Sequence, residues 1–585
     1  MIRVHPILQS ESPGSLEQAY AAALEELSGA RAIRRLAERD ASLWGAQPGR
    51  VSVAKNRLGW VDAPSWLESR VAELRSFAAQ VRDERFTRVL LLGMGGSSLA
   101  PEVLQSVCTP GPGAPTLDVL DSTDPVAVQN IEEASRLDRT FFLVSSKSGG
   151  TIETMSQLAY FRARLETSGV EEPGSRFAAI TDPGSPLEAI AKQTGFRSVF
   201  LNPADVGGRY SALTYFGMAP AALLGLDLAA LHARAAAARR ESLTERPAEN
   251  GALRLAALLA AAARSGRDKL TIVTSSALRP IGYWIEQLVA ESTGKDGVGI
   301  IPIEGEPLGP AHHYGTDRIL LSITVEGEPD PDTDRLLSEW TRAGHPAARI
   351  ELPDRDSIAG EFYRWEVATA LASSLLDIDP FDEPNVQESK DATRAILSEL
   401  ERTRALPADP PRAHADGVEI HVSDELWSRL TSGLPSMPSL ELVLNRFLSL
   451  AGPGDYLAIL AYLERTARTE ASFALLRRAI RNAIHLPVLQ GYGPRYLHSI
   501  GQLYKGGPPK GLFLEITTAD PSDLPIPGKP FTFGQLKAAQ ALGDVRSIER
   551  HGRPVLRLHL ARGLETGLAA VAQAAERAVS ALSAI

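Results

Sequence analysis

Cysteine is almost missing from this chain: Cys108 is the only one in 585 residues. A single thiol excludes an intrachain disulfide and any thiolate metal cluster, and it suits a reduced, cytoplasmic setting. Long hydrophobic runs are missing too. No stretch of 18 or more apolar residues occurs, so no membrane span is expected. The longest apolar run, around 255–263, has alanine at most positions and lies between Arg254 and Arg264, as a core or surface helix would. There is no dense Lys/Arg tract, and the formal net charge is −10 with a pI of about 5.7, so no nucleic acid or other polyanion is expected as a partner. The opening residues, MIRVHPILQSESPGS, lack the basic-then-apolar pattern of a secretory signal. No H-x-E or HExxH spacing is present, so no metal is expected.

What is present is ordinary for a large globular chain: 44% hydrophobic and 23% charged residues. The length suits about three or four domains. Residues 15–45 and 66–82 carry helical spacing around a Pro/Gly-containing loop at 46–64, so 1–85 is expected to be an N-terminal helical segment. From Arg88 the pattern becomes short apolar runs separated by stretches long enough for crossover helices. The runs VLLLG (89–93), LDVLD (117–121), TFFLVS (140–145), RFAAIT (176–181) and SVFL (198–201) predict a parallel, doubly wound sheet over 86–265. A second set begins at KLTIVTS (269–275) and ends at AARIEL (347–352), within 266–405. LPADPPRAHADG (406–417) is expected to be a linker. A third, less regular set from YLAIL (456–460) to PVLRLHL (554–560) fills 418–585. The segments 310–324 and 494–517 each place a histidine-containing turn before an apolar strand. The third domain therefore reads as a diverged copy of the second.

Several loops carry chemistry. GMGGSSLAPEVL (93–104) follows a predicted strand and opens a helix, but it has neither the third glycine of a dinucleotide fingerprint nor a Walker lysine. SSKSGGTIET (145–154) is more specific. Ser146, Ser148 and Thr151 offer three hydroxyls within six residues, Gly149 and Gly150 free the backbone, and a helix begins near Thr151 with Glu153 in its first turn. Hydroxyls and N–H groups converging on a helix N-terminus make a phosphate site with little formal charge. Capping alone would need only one of these hydroxyls.

GGRYS (207–211) sets Arg209 before a helical run, where it could stabilise an oxyanion or form an ordinary surface ion pair. WIEQLVAESTGKDG (284–297) contains Glu286 and, near a helix end, Glu291. The helix dipole and burial there would raise the Glu291 pKa and suit a base acting on a C–H proton. His498 lies in LHSIGQLYKGG (497–507) and Lys390 in PFDEPNVQESK (380–390). A lone histidine or a lone helical lysine is by itself more often structural or solvated.

Taken in order, GGSSLAPEVL, SKSGGTIET, GGRYSALTYFGMAPAALLG, ESTGKDG and PFDEPNVQESK resemble the glucose-6-phosphate isomerase family, over roughly 88–400. The C-terminal GYGPRYLHSIGQLYKGGPPKGLFLEI (491–516) is similar to the isomerase half of bifunctional transaldolase/glucose-6-phosphate isomerases, with no segment resembling the transaldolase half. The resemblance implies α/β sugar-isomerase (SIS-type) domains, two clear and a third diverged, after a helical segment. It implies an aldose–ketose isomerase acting on glucose 6-phosphate and fructose 6-phosphate. No redox cofactor is needed, because hydrogen moves as a proton within one substrate.

Carried over residue by residue, Glu291 matches the base that shuttles a proton between C1 and C2, and Arg209 matches the arginine that stabilises the cis-enediolate. Lys390 and His498 match the ring-opening pair. Ser146, Lys147, Ser148 and Thr151 match the phosphate loop, and Gly96 and Ser97 the sugar-contacting turn. The family places its histidine before its lysine, whereas His498 follows Lys390; His312 and His313 lie nearer the usual place without the LHSxGQ context. Glu383 stands where many relatives have glutamine. The histidine's position suggests that the third domain supplies in cis what a partner subunit supplies elsewhere. The chain would then act as a pseudo-dimeric monomer or as a homodimer, with a transaldolase as a possible partner. Alternatives are another phosphosugar isomerase, such as one acting on mannose 6-phosphate, and a sugar-phosphate-binding regulator.

Overall fold

In the computed structural model, residues 14–434 and 438–583 are described; the opening stretch read for a signal pattern lies largely outside them. From Gly14 to Asp83 every regular element is helical. The first sheet follows, with strands β1 (Arg88–Gly93), β2 (Thr116–Leu120), β3 (Thr140–Ser145), β4 (Phe177–Thr181) and β5 (Ser198–Leu201). They run parallel in the order β2-β1-β3-β4-β5. Every residue of β3 and β4 is buried, which explains their unbroken apolar runs: a parallel sheet is covered by helices on both faces.

The second sheet, β6 (Lys269–Thr274), β7 (Ile301–Ile303), β8 (Arg318–Val325) and β9 (Ala347–Leu352), has the order β7-β6-β8-β9 and is also parallel. The third contains β10 (Ala413–Ala415), β11 (Val418–His421), β12 (Tyr456–Tyr462), β13 (Val488–Tyr492), β14 (Gly511–Thr518) and β15 (Val555–Leu560). Its order is β10-β11-β15-β14-β12-β13. Leaving out β10 and β11, its four strands follow the second sheet's order: the second strand at the edge, then the first, third and fourth.

The hairpin β10–β11 departs from expectation. The sequence predicts a linker over 406–417, yet β10 lies within it and pairs antiparallel with β11, which pairs antiparallel with β15. The cause is local. Asp416 and Gly417 both take positive φ (55° and 81°), the conformation of a tight two-residue hairpin turn. The D-G pair is visible in the sequence but obscured by the prolines before it.

The three sheets do not stand apart. Helices Leu228–Ser242 and Gly251–Arg264, which precede the expected boundary at 265, pack with helix Ile358–Leu375, which follows the second sheet. The N-terminal helices join the same core; the Trp44 indole N–H donates to the Ala370 carbonyl at 2.7 Å. Helix Phe533–Arg550 of the third unit sends Phe533, Leu536 and Ala539 into the core on the other face of the first sheet. Ala290, Ile301 and Ile303 share a further core with Tyr456, Leu460 and Leu503. The third unit is thus wedged against both others. Among the described residues no helix is long and apolar enough to cross a membrane.

Candidate active site

Helix Ile281–Thr293 carries Glu291 in its last turn, and the carboxylate is buried. Burial pushes its pKa up to about 8, against the opposing pull of Arg209. The Arg209 guanidinium Nη1 stands 3.5 Å from Glu291 Oε2. Arg209 follows Gly207 and Gly208, is itself buried, and donates to Ser292 Oγ (2.9 Å), Glu383 Oε2 (3.0 Å) and the carbonyls of Pro380 (2.6 Å) and Asp382 (3.0 Å). Glu383, the position that departs from the family's glutamine, therefore holds the arginine.

Lys295, the lysine of ESTGK, turns away from the carboxylate. Its buried ammonium donates to the Asp382 carbonyl and to Asp382 Oδ1, both at 2.6 Å. It anchors the loop that presents Glu383, and burial lowers its pKa to about 8.

A cavity of about 340 Å³ is lined by Ser148, Thr151, Glu153, Lys390, His498 and Gln540 among others. Lys390 is exposed on helix Val386–Thr403, and its ammonium makes no hydrogen bond or ion pair with the described residues. The His498 ring Nε2 lies 2.9 Å from Glu153 Oε1, which also accepts from the Gln540 carboxamide at 2.7 Å. Burial would raise the Glu153 carboxyl, but His498, through its charge and its hydrogen bond, leads the groups that hold it below its ordinary value. With Nε2 tied to Glu153, Nδ1 is the ring nitrogen left for a ligand.

One side chain joins the two halves. The Gln287 carboxamide donates to Glu291 Oε2 at 3.3 Å and to the His498 carbonyl at 2.7 Å. Gln287 lies one helical turn before Glu291, so both point the same way. Nothing in the sequence links it to a residue more than two hundred positions later. Gln540 likewise carries no signal; it sits mid-helix without a motif. Glu153 is legible as an acidic residue in a helix's first turn, but not as a partner of His498.

The four residues of the hydroxyl loop are not disposed alike. Ser148 and Thr151 face the cavity. Ser146 is buried, with its hydroxyl 2.9 Å from Thr151 Oγ1 and accepting from the Gly149 N–H at 3.1 Å, so it braces the loop. Lys147 pairs with Asp182 across the sheet, away from the cavity lining. The backbone takes a left-handed conformation at Gly149 (φ +64°), where a Cβ would also meet the Leu187 backbone N at 2.7 Å.

Gly96 and Ser97 also lie behind the cavity wall. A Cβ on Gly96 would meet the Gly208 carbonyl oxygen at 2.2 Å, and the Ser97 carbonyl accepts from Ser145 Oγ at 2.9 Å. Their turn holds the GGRYS loop in place. His312 and His313 meet edge to face, centroids 4.2 Å apart, in the short turn Ala311–His313, and do not line the cavity. Among the described residues no group of three His, Cys, Asp or Glu is disposed to hold a metal ion.

A phosphoglucose isomerase family model matches residues 70–300. The glucose-6-phosphate isomerase of Rubrobacter xylanophilus is 30% identical over 386 residues, spanning 58% of this chain and 89% of its own length. A probable glucose-6-phosphate isomerase of Natronomonas pharaonis is 31% identical, over 53% and 78%. Among solved structures, a hypothetical protein of Thermus thermophilus superposes with a TM-score of 0.57 at 25% identity, covering 66% of this chain and 99% of that one. A glucose-6-phosphate isomerase of Chlamydia trachomatis gives 0.52 at 18% identity, over 68% and 91%, a likeness of fold.

Proposed function

Since this chain belongs to the glucose-6-phosphate isomerase family, we propose that it interconverts glucose 6-phosphate and fructose 6-phosphate at the site formed by Glu291, Arg209, Lys390 and His498. The observation that carries this reading is the Gln287 bridge, which ties a buried high-pKa carboxylate to the backbone of a histidine that lines the 340 Å³ cavity.

The substrate phosphate is held by Ser148, Thr151 and the N–H groups that open helix Ile152–Thr167. Lys390 and His498, oriented by Glu153, move a proton from the anomeric hydroxyl to the ring oxygen, and the ring opens. Glu291 then takes the proton from C2, leaving a cis-enediolate whose developing negative oxygen faces Arg209. The same carboxyl returns the proton to C1 while the hydroxyl proton of O2 passes to O1, so that C2 becomes the carbonyl and the aldose has become the ketose. No electron leaves the substrate. A regulator that only bound a sugar phosphate would gain nothing from a buried carboxylate beside Arg209, because burying a charge costs free energy.

His498 comes from the third unit of the same chain, which supports a pseudo-dimeric arrangement completed in cis. The site takes a sugar phosphate; turnover of mannose 6-phosphate beside the two named sugars reads how broadly. The test is conversion of fructose 6-phosphate to glucose 6-phosphate, coupled to a dehydrogenase, for wild type and Glu291→Gln. Robust wild-type turnover that collapses in the variant is expected; a folded wild type without turnover overturns the reading.

A further inference from the structure

A second cavity, of about 650 Å³, is lined in part by Tyr283 and Glu286 of helix Ile281–Thr293. It opens at the carboxyl ends of β6, β7 and β13, the end of a parallel sheet where ligands bind in open α/β folds. On the helix, Glu286 lines this cavity, while Gln287 hydrogen-bonds Glu291 and the His498 carbonyl. One element lines both cavities. In the segment 495–499, Arg495 and Ser499 line this cavity while His498 lines the first. Ser499 Oγ and Glu286 Oε1, both on the lining of this cavity, meet at 3.4 Å.

Most charged groups around the cavity are already engaged. Arg495 donates to Asp121 at 2.7 Å, and Arg477 to the Val488 and Gly305 carbonyls, both at 2.9 Å. Arg465 holds Glu470 and the Tyr283 hydroxyl. Glu306 is paired with Arg318, Asp332 with Arg335, and Asp330 caps the helix that follows it.

Two groups have no such partner. The carboxyl of Glu304, a residue only 9% exposed, makes no hydrogen bond or ion pair with any described residue, although it borders the cavity. The guanidinium of Arg279, exposed in the loop after β6, likewise makes none. Burial pushes Glu304 up to about 7 and its neighbour Glu286 up to about 8, so near neutrality both carboxyls can donate as well as accept hydrogen bonds. The charges of Arg477, Arg465 and Arg279 offset that burial only in part; a buried carboxyl without a hydrogen bond is costly, and a ligand that engages it relieves that cost.

We infer that this cavity is a second small-molecule site, built for a phosphorylated polyhydroxyl ligand of the sugar-phosphate class. Glu304 and Glu286 take its hydroxyls and Arg279 its phosphate. It shares the segment 495–499 with the isomerase site and is distinct from it.

The test is calorimetric titration of the full chain with glucitol 6-phosphate, which has no carbonyl to isomerise. Two binding equivalents per chain are expected. Arg279→Ala, at an exposed and unpartnered position, should weaken one of them by at least about tenfold and leave the other unchanged. Glu304→Gln should do the same. Thr151→Val, in the first cavity, should weaken only the other equivalent. A single equivalent, sensitive to Thr151→Val and indifferent to Arg279→Ala, overturns the second site and leaves the isomerase reading intact. Two equivalents that ignore both Arg279→Ala and Glu304→Gln also overturn it.

Discussion

Arg209 and Glu291 stand 3.5 Å apart, both buried, but the arginine is held closer by Glu383, at 3.0 Å. The carboxylate on which proton transfer would depend is therefore only partly compensated. That incomplete pairing lets burial dominate and keep its pKa near 8. A tight salt bridge would have pulled it back toward the ordinary carboxylate range and made a weaker base.

Glu291→Gln keeps the shape and removes the base. Turnover should fall by about 10²–10⁴-fold, the usual contribution of a positioned proton-transfer group, with KM little changed. Steady-state kinetics on folded protein decide it, and a loss under about threefold would exclude Glu291 as the base.

The pH profile follows from the same carboxyl. Its folded pKa is raised and the base works deprotonated, so kcat/KM should climb as pH rises toward about 8 and then level. The Gln287 hydrogen bond favours the ionised form, so Gln287→Leu should move that limb to higher pH. A limb near the ordinary carboxylate value, or one unmoved in the variant, would contradict the assignment.

His498→Ala should cut turnover of the ring-closed sugar by about 10²-fold or more, while His313→Ala leaves it unchanged. Only His498 borders the cavity that Lys390 and Thr151 also line. The opposite pattern would return the ring-opening role to the Ala311–His313 turn.

Gly96→Ala should lower stability and activity together. The added methyl group would overlap the Gly208 carbonyl oxygen, at 2.2 Å, and push aside the loop that carries Arg209. Overpacking of this kind costs about 1–3 kcal/mol, readable as a lower denaturation midpoint. An unchanged midpoint would mean that the two loops are not in contact.

Glu286 titrates with folding. Its folded pKa is about 8 against an ordinary 4.5, so the stability that its protonated form contributes is fully present below about pH 4.5 and lost as pH rises through about 8. Urea midpoints should fall across that window in wild type and fall less in Glu286→Gln, which cannot ionise. Parallel curves would show that Glu286 is not buried as described.

The parallel sheets were legible because a strand covered on both faces must be apolar throughout; each run named as a strand, from VLLLG to PVLRLHL, overlaps one, while the longer alanine-rich run at 255–263 lies in helix Gly251–Arg264. Glu291, Arg209 and the hydroxyl loop were legible as candidates because each sits in a short motif whose chemistry is local. The hairpin at Asp416–Gly417 could have been read and was hidden behind prolines.

Other features depend on contacts between distant segments. That Ser146 and Lys147 face away from the cavity is settled by their partners, Thr151 and the Gly149 N–H for the one and Asp182 on a neighbouring strand's end for the other. That His498, rather than His312 or His313, meets Glu153 is settled by how the third unit packs on the first. Sequence alone determined which groups could do chemistry, because residue type and local spacing set acidity, reach and backbone freedom. Only the tertiary structure decided which of them meet, and how strongly each is desolvated. Both depend on burial by residues hundreds of positions away, as with the Gln287 side chain that reaches from Glu291 to His498.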